Sequence, residues 1–491
     1  MTEQAFGLIA PRPIRYRLVR PHRGRTAALI VVAIVAISGA AGLLAPRDYR
    51  YLLLPSLMMI CVAAVYTAAL WAQRGRVPVF EIGSLWIATT VVYAVVPLAG
   101  FMAAGLQWTV LTDNRLFAYS FDARDIGLFG WRAVVYLASF VVVYLAVRRG
   151  ANVNRAILKP VSSPLIAAIL ILAVAAYLFK WFIKLRYGVD PGTSYSNMSE
   201  LMQGVAEMPL FLLQLSTIVF AALLLLKQAL VLIFIQRWRR LSWRVILILA
   251  LIIEVVTVAV RMGSRGDAVL LMISFILLYD RFVRPMRLKW LIAAVGLIIA
   301  GFLVQGQLRG AFAVREITWS NPITTSNEFQ NLFATAYDLY HRKEMGKLGV
   351  IPWQIYASDL YIVIPQQFLP FEKIDPSVWY LQVLRVAGTG TGFMFGVMSQ
   401  AVLGFDWIEL VARGAVLGLI FAALHRWYVR RASDFWPTLF YLMMSIWTFY
   451  TYRATTFWFV HFIVYQFIPI IMAAKVLEYA FTTWHGLRIR E

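Results

Sequence analysis

One cysteine in 491 residues is the first constraint: Cys61 sits in an apolar run, and a lone thiol closes no disulfide within the chain. Histidine is nearly as scarce. His22, His341, His425, His461 and His485 are scattered without ligand spacing, which argues against a zinc site built from Cys and His. No Asp-x-Asp pair exists for a metal-assisted nucleotide-sugar mechanism, and no Gly-x-Ser-x-Gly elbow for a serine hydrolase. Charge is thin as well, at 14% of residues, where soluble domains carry about 25%. What fills the chain instead is apolar: 61% hydrophobic and 15% aromatic. No soluble fold of this size hides that much apolar surface, so the composition specifies an all-α polytopic membrane protein.

An apolar helix of about 20 residues crosses the bilayer core. Twelve such spans are expected, near 27–45, 51–72, 83–105, 126–147, 164–183, 209–236, 245–260, 267–282, 290–308, 407–425, 435–452 and 455–475. The first follows an Arg-rich lead, but its apolar run exceeds the roughly 7–15 residues of a signal peptide. It is read as an uncleaved helix.

The net charge of +22 would suggest nucleic acid in a soluble protein. Here its distribution decides. Arg12, Arg15, Arg17, Arg20, Arg23 and Arg25 place the N-terminal tail in the cytoplasm, and every second loop repeats the signal. These segments hold 26 Lys and Arg against six Asp and Glu, whereas the opposite loops carry 16 of each. The excess is a topology signal, and nucleic acid is not an expected partner. The plan is a basic tail (1–26), nine spans (27–308), a large outer loop (309–406), three spans (407–475) and a second inner tail (476–491).

Counting 388–404 as a thirteenth span would put Arg426, Arg430 and Arg431 outside, so this stretch is expected to be re-entrant or interfacial. The outer loop is rich in aromatics, and 350–369 reads as an amphipathic helix with Pro352 and Pro365 at its ends. Backbone outside a helix survives at membrane depth only when buried in protein or lining a watery cavity, so the outer loop is the place to look for a site.

The sharpest local feature is Arg261-Met262-Gly263-Ser264-Arg265-Gly266-Asp267, where the seventh span meets the eighth. Arginines four apart share one helix face and repel unless an anion lies between them. The glycines permit a tight turn exposing N–H groups at the next helix start, and two guanidinium forks suit a diphosphate. Arginines snorkelling to lipid headgroups would look the same. Arg309, Arg315 and Arg453 lie on the same side. Within the spans, Arg132, Lys180, Lys227, Glu254 and Arg413 need a reason, because a lone charge at the bilayer centre costs about 2.5–3.5 kcal/mol or more. Glu254, seven before Arg261, either orients it or forms an ion pair in the bundle. Arg132 and Lys180, near span ends, are expected to snorkel. Gly388-Thr389-Gly390-Thr391-Gly392 has no preceding strand and no following Gly-Lys-Ser/Thr, so it reads as a turn before a short helix.

In these features the chain resembles the bacterial O-antigen polymerases, the Wzy-type oligosaccharide repeat-unit polymerases. The resemblance rests on the Gly-Ser-Arg-Gly turn at 263–266, Asn327-Glu328-Phe329, Ile364-Pro365 and Pro376-Ser377. It continues with the Gly-rich run 388–396, Leu403-Gly404-Phe405 and Arg453, covering about 245–475. It implies a helical lipid-donor (GT-C-like) glycosyltransferase that needs no cofactor or metal. Its substrates would be oligosaccharide repeat units on undecaprenyl diphosphate, used at the periplasmic face of the inner membrane, with both termini cytoplasmic. A chain-length regulator protein is a further expected partner. The resemblance gives outer-loop arginines the substrate-binding role, which carries over to Arg261, Arg265, Arg309 and Arg453; taken with the residues themselves, catalysis is expected at Arg261, Arg265 and Glu328. Substrate binding falls to Arg309, Arg453, Gly263, Ser264, Gly266, His341 and Gln400.

One departure stands out. Where many relatives place a Glu, this chain has Gln400, in Met398-Ser399-Gln400-Ala401. The general base then falls to Glu328, Asp267, His341 or Asp359, with Glu328 the choice. The nearest rival is an O-antigen ligase using His341. A flippase for lipid-linked sugars and a non-catalytic assembly partner are the others.

Overall fold

The computed structural model describes residues 22–74, 80–106, 122–148, 157–188, 207–238, 240–261, 265–286, 290, 293, 296, 328–361, 363–364, 366–384 and 395–488. Among them there is no strand. The first six helices are α1 (His22–Leu44), α2 (Arg47–Arg74), α3 (Ile82–Ala103), α4 (Ala123–Val147), α5 (Ser163–Tyr187) and α6 (Leu210–Gln236). Next come α7 (Leu241–Arg261) and α8 (Arg265–Leu278), which continues into a π turn at Tyr279–Val283. The outer loop holds α9 (Glu328–Glu344), α10 (Trp353–Tyr356), α11 (Ser358–Tyr361), α12 (Pro376–Val383) and α13 (Val397–Leu403). The chain closes with α14 (Trp407–Arg430), α15 (Phe435–Arg453) and α16 (Trp458–Phe462), which runs through a π turn, Ile463–Phe467, into α17 (Ile468–Arg488).

Eight of these are long and apolar enough to cross a membrane: α1 to α6, α14 and the continuous α16–α17 helix. The chain is therefore a polytopic helical membrane protein. Of the other expected spans, 290–308 lies almost wholly outside the described residues, while α7, α8 and α15 stand where 245–260, 267–282 and 435–452 were predicted. Helix α15 falls short in apolarity for a physical reason: it is central, and its polar side chains meet protein. Ser445, Thr448 and Thr451 hydroxyls donate back to carbonyls of Tyr441, Ser445 and Thr448, and Thr451 accepts from the Trp86 indole at 3.1 Å. By contrast α1 and α5 leave long apolar rows uncovered, among them Leu29, Val32 and Ile37, and Val174, Leu178 and Leu185. Apolar surface on that scale marks a lipid boundary.

The bundle is organised around α4, which packs against α2 on one side and α14 on the other. Gly414 and Gly418 make the second contact close. A Cβ there would lie 2.5 Å from the Tyr136 carbonyl oxygen and 2.7 Å from that of Phe140, respectively. Small residues four apart let helices approach in lipid, where packing rather than the hydrophobic effect drives association.

Two ends follow from this packing. The helix ends assigned inward by the charge alternation lie together: Arg148, Glu81, His425 and the 157–162 segment, where the Lys159 N–H donates to the Ser433 carbonyl at 2.9 Å. The ends assigned outward lie together with the loop. We call them the basic end and the loop end.

The loop is a folded unit with its own small core of Leu339, Ile355, Trp379, Tyr380, Leu384, Phe395 and Leu403. Helix α9 packs against α3 and α13, and α13 is buried along its whole length. A buried helix end must have its free carbonyls satisfied. Lys343 does this, with Nζ donating to the carbonyls of Val402, Leu403 and Gly404 at 2.8, 3.0 and 2.9 Å. The predicted amphipathic helix over 350–369 is not formed. It breaks into α10, α11 and a 3₁₀ turn at Gln366–Phe368. Ser358 donates to the Ile355 carbonyl and Tyr361 to that of Gln354, local bonds that compete with a continuous helix, and Pro365 disfavours helical backbone before it.

Candidate functional site

Arg413 sits near the loop end of α14, where a guanidinium needs partners. Its Nη1 donates to the Asp359 carboxylate and to Thr456 Oγ1 at 2.6 Å. Its Nε donates to Glu409 Oε1 at 2.7 Å, while Glu409 Oε2 accepts from the Phe405 N–H at 3.0 Å. Two carboxylates around one guanidinium leave the cluster with an excess negative charge. Asp359 comes from the loop, as do its neighbours: Ser358 accepts from Gln400 Nε2 at 3.1 Å.

Around this cluster several buried polar atoms find no hydrogen-bond partner within the described protein: Asp359 Oδ1, Gln400 Oε1, Ser399 Oγ, Thr455 Oγ1 and the Tyr136 hydroxyl. Tyr136 reaches the cluster because its backbone abuts Gly414, next to Arg413, and its ring lies 6.2 Å from that of Tyr452. Each such atom costs about 1–3 kcal/mol if nothing meets it. Native proteins carry few, and a local concentration calls for an explanation. A narrow apolar cavity is walled by Tyr93, Phe129, Phe333, Met398 and Tyr452, none of them a member of the cluster.

A second charged pair stands beside the first. Arg132 forks onto Asp406, Nε to Oδ1 at 2.7 Å and Nη2 to Oδ2 at 2.6 Å, with the rings of Tyr340 and Trp407 at 4.3 and 4.7 Å from its guanidinium carbon. The snorkelling expected for Arg132 is thus replaced by a bidentate pair in an aromatic cage, with the residue 5% exposed. His341 follows Tyr340 and lies edge-on to Tyr337 at 4.5 Å between ring centres. Desolvation lowers its pKa, against the pull of Asp125, Asp338 and Glu344, so its imidazole is neutral at neutral pH.

The other expected site residues are placed as follows. Helix α7 is described as far as Arg261 and α8 from Arg265, and residues 262–264 between them lie outside the described residues. The side chains of the two arginines lie outside the described residues, as do the side chain of Asp267 and all of Gly263, Ser264, Arg309 and Arg315. Gly266 falls in the first turn of α8, and Glu328 opens α9 with its side chain likewise outside. Arg453 ends α15 with its guanidinium 5.7 Å from the rings of Phe449 and Tyr450. Glu254 pairs with Lys227 at 2.5 Å, the bundle ion pair of the two readings held open for it. The Gly388–Gly392 run is outside the described residues.

Of the expected residues, then, Gln400 is brought into contact with the buried cluster. Sequence reasoning flagged Arg413 only as an unexplained charge in a span and Asp359 only as one base candidate, and it missed Ser358 and Tyr136. A signal existed for the first pair: an intramembrane arginine requires a carboxylate, and the loop offers few. Nothing in the pattern marks Tyr136, which reads as one more aromatic in an apolar helix. The chain matches no protein-family profile, no curated protein and no solved structure.

Proposed function

We propose that the protein is a glycosyltransferase that joins oligosaccharide repeat units carried on undecaprenyl diphosphate into a surface polysaccharide, an O-antigen, capsule or exopolysaccharide. On this reading the loop end is the periplasmic face of a bacterial inner membrane. The observation that carries it is the buried cluster around Arg413, assembled from the loop and the spanning helices and rich in unmet hydrogen-bond acceptors. Hydroxyl-rich ligands satisfy such acceptors. The chemistry asks for two further things. Cations must stabilise the charge growing on the departing diphosphate, a role for Arg261, the last described residue of α7, and Arg265, the first of α8, where a helix start favours an anion. A base must take the acceptor's proton. Arg413 itself is neutralised by two carboxylates and is no diphosphate clamp.

Deleting the gene and profiling surface glycans tests this directly. Loss of long chains with single repeat units still attached is the expected result. In a complemented strain Arg265→Ala abolishes long chains, and Arg261→Ala shortens them, with both proteins still inserted. Normal long-chain polysaccharide in the deletion strain, or in both variants, sinks the proposal. A ligase remains the second reading because His341, half-buried beside Tyr337 and Tyr340 and neutral, is a competent base; loss of all attached units in the deletion strain would select it.

A further inference from the structure

The proposed transfer needs a base, and the loop-end carboxylates whose side chains are described, a set without Asp267 and Glu328, can be sorted by what already occupies them. Asp406 has both oxygens on Arg132, and Glu409 has one on Arg413 and one on the Phe405 N–H. Asp338 Oδ2 accepts from Arg342 and from the Tyr380 hydroxyl, both at 2.7 Å. Asp48, Asp122, Asp125, Glu207, Glu344, Glu372 and Asp375 are exposed, where water competes for any hydroxyl they bind. Asp359 differs. Arg413 fixes Oδ2 and leaves Oδ1 buried with no partner in the described protein, the residue being 7% exposed.

From this we infer that Asp359 is a catalytic residue: Oδ1 binds one hydroxyl of the acceptor sugar and takes its proton, an assignment that rests on the proposed transferase function. Arg413 is then a positioning residue, holding one oxygen so that the other faces the acceptor. Gln400 Oε1 accepts from a second hydroxyl of the same ring, and the Tyr136 hydroxyl donates to or accepts from a third. The site thus takes a polyhydroxylated ring, and it supplies in Asp359 the carboxylate that Gln400 lacks. The step balances. The acceptor oxygen forms a bond to the anomeric carbon of the donor as its proton passes to Asp359 Oδ1. The bond from that carbon to the diphosphate oxygen breaks, and its electron pair leaves with the lipid diphosphate. Asp359 then gives the proton to water.

The test uses full-length protein in lipid nanodiscs and, as substrate, the lipid-linked repeat unit extracted from the deletion strain. The rate of joining two units is read for wild type, Asp359→Asn and the exposed-loop control Glu372→Gln, each taken from a monodisperse fraction. General-base catalysis contributes about 10²–10⁴-fold, and a loss of that size is expected for Asp359→Asn alone. If that variant yields no monodisperse protein, Asp359→Asn with Arg413→Gln is compared with Arg413→Gln, since the pair leaves no charge stranded at position 359 or 413 and Glu409, which keeps the Phe405 N–H, loses Arg413 equally in both; the double variant is then the slower by the same factor. A rate within tenfold of wild type, or in the fallback within tenfold of Arg413→Gln, overturns the assignment, as does a loss seen in Glu328→Gln or His341→Gln but not at Asp359. Inactive wild-type protein together with unchanged glycans in the deletion strain is a different failure, that of the transferase reading itself.

Discussion

The two ends of the bundle each bury an arginine–carboxylate cluster, and they differ at the carboxylate: both oxygens of Glu81 are met, but only one of Asp359. At the basic end Glu81 is fully saturated. Its Oε1 accepts from Arg148 Nε at 2.5 Å, Tyr144 at 2.8 Å and Tyr66 at 3.5 Å, and its Oε2 accepts from Arg148 Nη2 at 3.2 Å with His425 Nε2 at 3.8 Å. Arg148 also donates to Gln73, and Tyr441 accepts from the Ile82 N–H while sharing a hydrogen bond with His425. At the loop end the Asp359 cluster leaves acceptors unmet. A saturated network rigidifies and specifies one packing. An unsaturated one costs stability that a fold retains only where something else uses the site. The first cluster ties helix ends together, and the second is where the proposed acceptor would bind.

The largest expected effect tests the structural half of that contrast. Removing one partner of a buried pair strands the other charge, at about 3–5 kcal/mol. Glu81→Ala should therefore lower the melting temperature of the purified protein far more than a loop-end substitution that strands no charge, since it strands Arg148 at 1% exposure. A melting curve that barely moves would mean that the basic end is not the clamp its geometry describes.

The opposite outcome is expected at Gln400. Replacing it with Met removes one bond to Ser358 and also removes the unmet Oε1. The two terms nearly cancel, so the stability change should stay within about 1 kcal/mol. Polymer length should nonetheless fall, because the acceptor ring loses a contact. Stability and activity moving separately at Gln400, but together at Glu81, is the signature of a site facing a scaffold. If Gln400→Met melts like Glu81→Ala, the distinction between the ends collapses.

Much of the architecture was legible in the chain because burial in lipid is a bulk property. Hydropathy marked α1 to α6 and α14, and the alternation of arginines sorted the helix ends into the two groups that pack together. Helix α15 shows where hydropathy weakens, since a span enclosed by other helices can carry serine and threonine. The sites were far less legible. Arg148, His425 and Glu81 read as two loop charges and a scattered histidine, and only the fold brings residues more than sixty positions apart into one network. Asp359 and Arg413, 54 residues apart, are the same case at the other end. The 350–369 stretch failed differently: its hydrophobic pattern was helical, but Ser358, Tyr361 and Pro365 gave the backbone competing local choices.

The smallest effect sharpens the comparison by adding a pair that is neither clamp nor site. Asp434 and Lys159 meet at 2.7 Å on the surface of the basic end, with side chains 39% and 70% exposed. The hydrogen bond from Lys159 holds the Asp434 carboxyl below its ordinary pKa, helped by Ser433 and Arg431 and opposed by slight desolvation. A depressed carboxylate pKa stabilises the folded state at pH above the ordinary carboxylate value, and that contribution disappears as pH falls through the folded value. Solvent screening keeps it small, below about 1 kcal/mol. Asp434→Asn should therefore lower the melting temperature slightly at pH 7 and progressively less as pH falls through the lowered folded value, and 0.5 M salt should erase the difference. Glu81→Ala should keep its full penalty in the same salt, because a pair sealed from water is beyond the reach of mobile ions. Equal salt sensitivity at the two positions would show that water reaches Glu81, and the clamp would lose the low-dielectric surroundings on which its strength depends.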